Sequence, residues 1–537
     1  MWDAGTARIR RRFQPRDAGA STRPAPTWAI ALGLAGVVIL ALFFRLYRLD
    51  TFMHWAWGDE MTYGVEAQRV VHGYYTGLFA YTWDTAPTTY PYLLASAHNL
   101  FGATLHTGRM VSVVAGVACV PLVGLVAREL ELSWIAGLAG AGLLAVSHWH
   151  AYFSRMVLPA IPAALVLLLA VYSVMVAFRR DKWWISVLAG LACGIAPYVF
   201  LSNRVLPVIL VAWFGYLLAF HRAWVRRSWP HIALFALTVT LVLVPLAQFW
   251  LHDPNWLLNP ERRVGVFSNI AAWAAQNPGQ PVTFWNILLH QLWLAAGMFT
   301  IYGGPFIPFG GAYAPALDQL TGWALCPAIG YALYRWRRPL VALTLIWFFA
   351  IWFTGVVLSH DAPQLEHAVG LIPAVFVLIA LLCDAVGVAI VRHTQRPTLY
   401  AGLAALLVLV SGALNYNVFF NVWGSQLAGG NGFNWQWYDA GAYVARHHTP
   451  RGTALYVGPY PDEFFRFLSP QAREFSADGL PFRPASLYLV MPGSITTPAT
   501  VAAHVPGARL QEIYDVDGGL AFTAVLPPTT KASKNAP

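Results

Sequence analysis

Long apolar runs alternate with short polar connections over most of this chain. A helix needs roughly 20 mostly apolar residues to cross the hydrocarbon core of a bilayer, and the runs approach this length. We therefore expect about eleven membrane-spanning helices, at 28–46, 110–127, 133–147, 157–178, 183–200, 205–220, 231–250, 320–334, 340–358, 368–390 and 399–415. The apolar stretch 283–299 also contains Asn286, His290 and Gln291, which is typical of an interfacial or re-entrant helix.

The composition agrees with a membrane protein. Hydrophobic residues make up 58% of the 537 residues and charged residues only 11%, whereas a soluble protein has about 25% charged residues. The net charge of +10 raises the question of nucleic acid, but the basic residues lie mainly at span ends, which indicates membrane lipids and no nucleic acid as partner. Four cysteines fall inside apolar runs, so we expect neither a disulfide framework nor a zinc site.

The distribution of Arg and Lys predicts the orientation of the chain. These residues concentrate in 1–27, 179–182, 221–227, 335–338 and 392–396, and positive charge near span ends is retained in the cytoplasm. We expect residues 1–27 to be a basic cytoplasmic N-terminus. Residues 28–420 then form a transmembrane domain, with large outer loops at 48–109 and 251–319.

The C-terminal segment has a different pattern. Residues 435–447 have helical periodicity, 454–457 and 486–491 have the composition of strands, and 510–514 with 520–526 predict a hairpin. We expect residues 430–526 to form a small extracytoplasmic α/β domain and 527–537 a disordered tail. The predicted class is an all-α polytopic membrane protein with this added domain.

The first outer loop concentrates polar residues. Connections in helix bundles usually contain about two to eight residues, but 48–109 is far longer and contains Asp59, Glu60 and Asp84 before Arg109. Carboxylates so close to a bilayer are costly unless they lie at the water interface or in a working site. Later outer segments add His148, His150, Arg155 and His367. We expect a structural role for the two neighbouring histidines, rather than a metal pair.

This set of residues suits group transfer from a phosphate-linked donor. A carboxylate can take the proton from an acceptor hydroxyl as it attacks, and arginines can hold a phosphate leaving group. The sequence contains no Gly-rich phosphate loop. A nucleotide-sugar would not normally be available outside the cytoplasm. A lipid-phosphate donor, with its chain in the bilayer and its headgroup at the outer face, fits both observations.

Four motifs carry a resemblance to a known family. Asp59-Glu60 with Tyr63 follows an arginine of the first span, and 83–87 places Asp84 shortly before a proline and an aromatic helix. Arg109 opens the next span, and 150–155 has a His…Ser-Arg pattern. Together they resemble the polyprenyl-phosphate-dependent GT-C glycosyltransferases, which include the dolichyl-phosphate-mannose protein mannosyltransferases and the lipid A aminoarabinose transferases. The resemblance covers roughly residues 40–210.

The resemblance implies a GT-C-like fold and an inverting hexosyl- or pentosyltransferase of the cell envelope. Asp59 would be the catalytic base, Glu60 would shape the site, and Asp84 would orient the acceptor or a divalent metal ion. No cofactor is certain and no metal ligand is assigned. The candidates for binding the donor phosphate are Tyr63, Arg109, Arg155 and His367, the last standing where family members commonly have arginine. The acceptor, whether lipid, protein or glycan, stays open.

The alternative is a transporter or flippase for a lipid-linked glycan. A transporter of this size places its polar residues near the midplane on broken helices. Here they lie at the outer ends of the predicted spans, beside the long first loop. The sequence therefore favours the enzyme.

Overall fold

A computed structural model describes residues 26–52, 55–75, 77, 87–180, 182–304, 314–424, 435–446, 454–457, 463–469, 473–474, 487–494, 496–514 and 519–527. The predictions for the basic N-terminus and the C-terminal tail, and the predicted role of Asp84, therefore fall almost entirely outside the described residues.

Helices dominate the described part of residues 26–424, where apolar sequence and few internal prolines favour them. In chain order they are α1 Thr27–Leu46, α2 Leu49–Phe52, α3 Gly58–Val71, α4 Thr89–Phe101, α5 Leu105–Glu129, α6 Trp134–Val146, α7 His148–Phe153, α8 Ala160–Arg179, α9 Trp183–Val199, α10 Leu206–Phe220, α11 Arg222–His252, α12 Asn255–Val264, α13 Ile270–Gln276, α14 Phe284–Gly297, α15 Gln319–Tyr334, α16 Pro339–Ile351, α17 Ile372–Thr394 and α18 Pro397–Tyr416. Short 3₁₀ turns occupy Leu201–Val205 and Val369–Leu371, and π-helical turns occupy Trp352–Val357 and Asn417–Trp423.

The predicted spans coincide with these helices. Eight helical segments have the length and apolar composition needed to cross a membrane: Thr27–Phe52, Leu105–Glu129, Ala160–Arg179, Leu201–Phe220, Arg222–His252, Pro339–Val357, Val369–Thr394 and Pro397–Trp423. The other three predicted spans are the shorter helices α6, α9 and α15, of 13, 17 and 16 residues. The prediction of a multi-pass membrane protein is confirmed, whereas the exact number of spans stays a prediction.

Small residues allow the short helix α6 to lie at the centre of the bundle. A Cβ atom on Gly140 would lie 2.8 Å from the Cβ of Ala380 in α17, and one on Gly142 would lie 2.9 Å from Val408 in α18. Both glycines therefore permit backbone approaches that any larger residue would prevent. Close packing of this kind holds membrane helices together, because lipid supplies little hydrophobic driving force between them.

The C-terminal domain, the described residues from 435 to 527, contains a mixed sheet. Its elements are α19 Trp435–Arg446, β1 Ala454–Val457, α20 Glu463–Leu468, β2 Arg473–Glu474, β3 Leu487–Val490, α21 Pro498–Ala503, β4 Arg509–Tyr514 and β5 Leu520–Leu526. The strand order is β2-β1-β3-β5-β4, with β1 parallel to both neighbours and β5 antiparallel to both of its own. The predicted helix, strands and hairpin are confirmed; β2, α20 and α21 were not predicted.

One hydrophobic cluster joins this domain to α3, in the predicted loop 48–109. Met61 and Val65 of α3 are buried together with Trp437, Phe464 and Phe467 of the domain. The contact is tight, because a Cβ atom on Gly64 would lie 2.6 Å from the Phe467 ring. Helix α3, which contains the acidic pair, is therefore held between the bundle and the C-terminal domain.

Candidate active site

The acidic pair occupies the first turn of α3. The helix begins at Gly58, and both Asp59 and Glu60 lie near its N-terminus, where the helix dipole favours negative charge. The backbone N–H of Trp57 donates to Glu60 Oε2 at 2.9 Å, which completes a capping contact. Asp59 is partly exposed, whereas Glu60 is fully buried. Neighbours in sequence thus occupy opposite environments.

Glu60 connects three segments of the chain. Besides its bond to Trp57, its Oε1 accepts a hydrogen bond from the backbone N–H of Val157 at 2.9 Å and lies 3.6 Å from Arg109 Nε. A buried carboxylate needs such partners, since an uncompensated charge in the interior is strongly unfavourable. Glu60 therefore fixes the start of α3 against α5 and the segment before α8, and through it the position of Asp59.

Arg109 holds the chain that leads to the acidic pair. Its guanidinium is buried and donates to the carbonyl oxygens of Trp55 at 2.8 Å and Leu49 at 3.4 Å. Together with the contact to Glu60, these bonds fix both ends of residues 49–60. In this structure Arg109 orients protein groups around the site.

Arg155 closes the C-terminal end of α1. Its guanidinium donates to four carbonyl oxygens of that region, those of Phe44 at 3.2 Å, Arg45 at 3.2 Å, Tyr47 at 2.9 Å and Arg48 at 3.0 Å. The last carbonyls of a helix lack partners within it, and a cation suits that end of the dipole. The rings of Phe52, Phe419 and Phe420 lie 5.4 to 5.6 Å from the guanidinium carbon. Arg155 is thus a buried cap.

Tyr63 follows Glu60 by one helical turn on the same face of α3. It is buried, and its ring meets that of Tyr90 in α4 edge to face, with 5.1 Å between the centroids. Asp84 lies outside the described residues, and α4 begins five residues after it. Asp59, Glu60, Tyr63 and Arg109 form one cluster, which we call the acidic-pair cluster.

His367 lies on a different segment, before α17. Its Nδ1 is 3.3 Å from Ser359 Oγ, and burial together with nearby His360 lowers the pKa of His367 to about 4. The side chain is therefore neutral near pH 7. The pKa of Tyr152 is raised mainly by burial, and then by the negative charges of Glu60 and of Glu366, the residue before His367. Tyr152 thus lies between this segment and the acidic-pair cluster.

The two histidines of α7 have different partners. His148 contacts Asn415 Oδ1 at 2.5 Å and the carbonyl of Pro315 at 3.0 Å, whereas His150 Nδ1 accepts from Arg45 at 2.7 Å. Both histidines are buried, and burial lowers the pKa of each. Within the described residues, no three His, Cys, Asp or Glu side chains form a group that could hold a metal ion.

Two features escaped prediction from the sequence. Asp318 is buried and accepts bonds from Ser411 and Asn415, which links the start of α15 to α18 and onward to His148. Tyr438 of the C-terminal domain lies within electrostatic range of Arg109 and Glu60, and its pKa is raised chiefly by burial. Neither has a local sequence signal, because each depends on contacts between residues far apart in the chain.

Comparisons with known proteins find similarity to one family and to several solved structures. The family described as dolichyl-phosphate-mannose-protein mannosyltransferase matches residues 85–247, less than half of the chain. No curated protein matches the sequence. The structure is similar to the oligosaccharyltransferase of Archaeoglobus fulgidus in its apo form, with a TM-score of 0.54 and 12% identity over 83% of this chain. The match spans 64% of the length of that protein.

Two further structures are similar over nearly the whole chain. ArnT from Cupriavidus metallidurans bound to undecaprenyl phosphate has a TM-score of 0.55 and 15% identity, over 93% of this chain and 98% of ArnT. The archaeal oligosaccharyltransferase AglB from Archaeoglobus fulgidus, in complex with an inhibitory peptide and a dolichol-phosphate, has a TM-score of 0.54 and 14% identity, over 95% and 75%. These likenesses confirm that the chain has the GT-C-like fold predicted from its sequence.

Proposed function

We propose that this protein is an inverting membrane glycosyltransferase, which moves a sugar from a polyprenyl-phosphate carrier to a hydroxyl acceptor at the extracytoplasmic face. The observation that carries the proposal is Asp59, a partly exposed carboxylate beside the fully buried Glu60, in the loop that the sequence predicts to be on the outer side. Similar structures hold undecaprenyl phosphate or a dolichol-phosphate, and this supports a polyprenyl-phosphate donor.

The proposed reaction is a single displacement. Asp59 takes the proton of the acceptor hydroxyl, and the oxygen attacks the anomeric carbon of the sugar. The bond from that carbon to the phosphate oxygen breaks, and its electron pair leaves with the polyprenyl phosphate. The anomeric configuration inverts because no covalent intermediate forms. Cationic and hydrogen-bonding groups must then stabilise the negative charge that the leaving phosphate gains.

The candidates for that stabilisation differ in availability. Arg109 and Arg155 are buried and already bound to backbone carbonyls, so a contact with the donor requires them to exchange partners. His367 is neutral near pH 7 and is therefore a hydrogen-bonding partner rather than a counter-charge. We add Arg48, which is exposed at the end of α1 and makes no hydrogen bond or ion pair with its side chain among the described residues.

An in vitro transfer assay tests the proposal. The full chain, purified in lipid, is given radiolabelled polyprenyl-phosphate sugars and a membrane extract as the source of acceptor. We expect transfer by the wild type and a loss of at least about 100-fold in Asp59→Asn, the scale of general-base catalysis. The matched control is Asp50→Asn, which removes an exposed carboxylate of the same loop, where it contacts His106 at 2.9 Å, and should leave transfer unchanged.

Each outcome decides something. Equal transfer by wild type and Asp59→Asn would exclude Asp59 as the base. Consumption of no donor by a folded wild type, with labelled lipid changing leaflet, would replace the enzyme by a transporter of a lipid-linked glycan. Equal loss in both variants would mean that the loop tolerates no change of charge.

A further inference from the structure

A second candidate site lies at the end of the bundle opposite the acidic pair. A cavity of about 1100 Å³ opens there between the ends of several helices. Helix α5 connects the two places: Arg109 near its start contacts Glu60, and Arg128 and Glu129 at its end line the cavity. Its 25 residues, at about 1.5 Å per residue, separate the two ends by more than 30 Å.

The cavity wall has an excess of positive charge. Among the described residues it contains two glutamates, Glu129 and Glu131, and six arginines: Arg128, Arg179, Arg180, Arg222, Arg227 and Arg338. The glutamates are engaged by two of these arginines, with Arg179 lying 3.0 Å from Glu131 and Arg180 lying 3.4 Å from Glu129. Four further arginines line the wall, and Glu131 also lies within electrostatic range of one of them, Arg338.

Arg338 is the most available of them. It is half-buried, and among the described residues its side chain makes no hydrogen bond or ion pair. Burial and then the neighbouring Arg335 lower the pKa of Arg338, whereas Glu131 and Asp384 act in the opposite direction. An anion in the cavity would oppose the effect of burial and of Arg335 on this cation.

Two helices begin at the same wall. Helix α16 starts directly after Arg338, and α11 starts with Arg222, Ala223 and Trp224, all of which line the cavity. The first N–H groups of a helix have no partner within it, and the dipole there attracts anions. The arginine side chains and both helix starts thus act on the same space.

Part of the cavity wall is aromatic. Phe178 lies between Trp213 and Trp224, with centroid distances of 5.5 and 4.3 Å, and all three line the cavity. Phe220, also in the wall, is 59% exposed on the bundle surface. A cationic pocket beside such a wall suits an amphiphile better than a free ion.

We propose that this cavity binds the phosphate headgroup of an anionic membrane lipid, with Arg338 as its main contact and the aromatic wall against an acyl chain. Concentration of arginine at one membrane face is general, but it requires neither a cavity nor two helix starts in its wall. The site lies far from Asp59, so the inference is independent of the proposed transferase activity.

Native mass spectrometry of the full chain in detergent tests the proposal. The probes are phosphatidylglycerol, phosphatidylcholine with the same acyl chains, and inorganic phosphate. We expect one retained phosphatidylglycerol, little phosphatidylcholine, and retention weakened about tenfold by Arg338→Gln, the scale of one charge-assisted hydrogen bond. The matched control is Arg337→Gln, which removes the same charge from the adjacent exposed residue outside the cavity wall and should retain the lipid.

Several results would overturn the inference. Equal weakening by Arg337→Gln would indicate diffuse surface charge, equal retention of phosphatidylcholine would exclude headgroup recognition, and exclusion of lipid by inorganic phosphate would indicate an ion site. Arg338→Gln should fold, since it removes one cation from a wall that holds six arginines and two glutamates, and should melt no lower than wild type without lipid. Arg338→Lys is the second variant: it keeps the charge but loses the planar fork, and should weaken retention less than Arg338→Gln.

Discussion

Replacing Glu60 by glutamine should destabilise the protein far more than replacing Asp59 by asparagine. Glutamine has nearly the shape of glutamate, but its side chain has a single acceptor oxygen. In the wild type, the backbone N–H groups of Trp57 and Val157 each donate to one carboxylate oxygen of Glu60 at 2.9 Å. In the glutamine variant one of these two donors would face the new NH₂ group and lose its acceptor. A buried donor left without a partner costs about 1–3 kcal/mol.

The charge of Arg109 adds to this loss. Breaking a buried ion pair by removing one partner costs about 3–5 kcal/mol when the other charge is left uncompensated. The 3.6 Å separation from Glu60 and the bonds of Arg109 to Trp55 and Leu49 reduce that figure. We therefore expect Glu60→Gln to lower the free energy of unfolding by about 3 kcal/mol. Asp59→Asn, at a partly exposed position, should change it by less than about 0.5 kcal/mol.

A double-mutant cycle separates the pair from the remaining contacts. Glu60→Gln, Arg109→Met and the double variant are compared by equilibrium unfolding in mixed detergent micelles. If the two groups compensate each other, the double variant should be more stable than the sum of the single losses predicts, by about 1–3 kcal/mol. Additive losses, or a Glu60→Gln variant as stable as Asp59→Asn, would refute the assignment of Glu60 as the residue that fixes the site.

Two further predictions concern the packing of the first loop. Gly64→Val should separate the C-terminal domain from α3, because its new Cβ atom would lie 2.6 Å from the Phe467 ring. Limited proteolysis should then cleave the domain faster than in Gly77→Val, a change in the same loop with open space around the new Cβ; equal cleavage rates would contradict the shared core. The ring of His98 lies beside the same Phe467 ring, with 5.9 Å between the two centroids. Burial lowers the pKa of His98 from 6.5 to about 4. Between these two pH values the unfolded chain therefore binds more protons than the folded protein. The contribution of neutral His98 to the free energy of unfolding should be fully present above pH 6.5 and should be lost as the pH is lowered toward 4. In His98→Phe this fall should be smaller, and an unchanged pH profile would exclude His98.

The sequence predicted those parts of the fold that depend on local pattern. Spans of apolar residues became helices, and the C-terminal hairpin was visible because Asp517-Gly518-Gly519 separates two strand-like runs. The short helix α6 shows the limit of the same reasoning: its 13 residues reach only about 20 Å, so counting apolar runs overstates what one helix can span. Its glycines are explained by neighbours in α17 and α18 more than 200 residues away.

The candidate site was predicted as a set of residues but not as an arrangement. The resemblance to the GT-C glycosyltransferases made Arg109 and Arg155 candidates for binding the donor phosphate, a role that arginines suit. The structure shows both side chains bound to carbonyls at chain segments about 50 and 110 residues away. Such contacts have no periodicity or motif. The same is true of Glu60, whose partner Val157 is 97 residues further along.

The architecture of α3 explains why a transferase of this kind would need the C-terminal domain at all. An isolated helix of 14 residues is only marginally stable in water, so α3 must be held by packing. With about 3.6 residues per turn, Tyr63 and Ala67 face the bundle core, and Met61 and Val65 face the core shared with the domain. Asp59 lies one turn before Tyr63, in the first turn of the helix, and keeps part of its surface open. The carboxylate is therefore accessible at the start of a helix that is buried on two faces, and loss of the domain would remove one of the two supports that hold it in position.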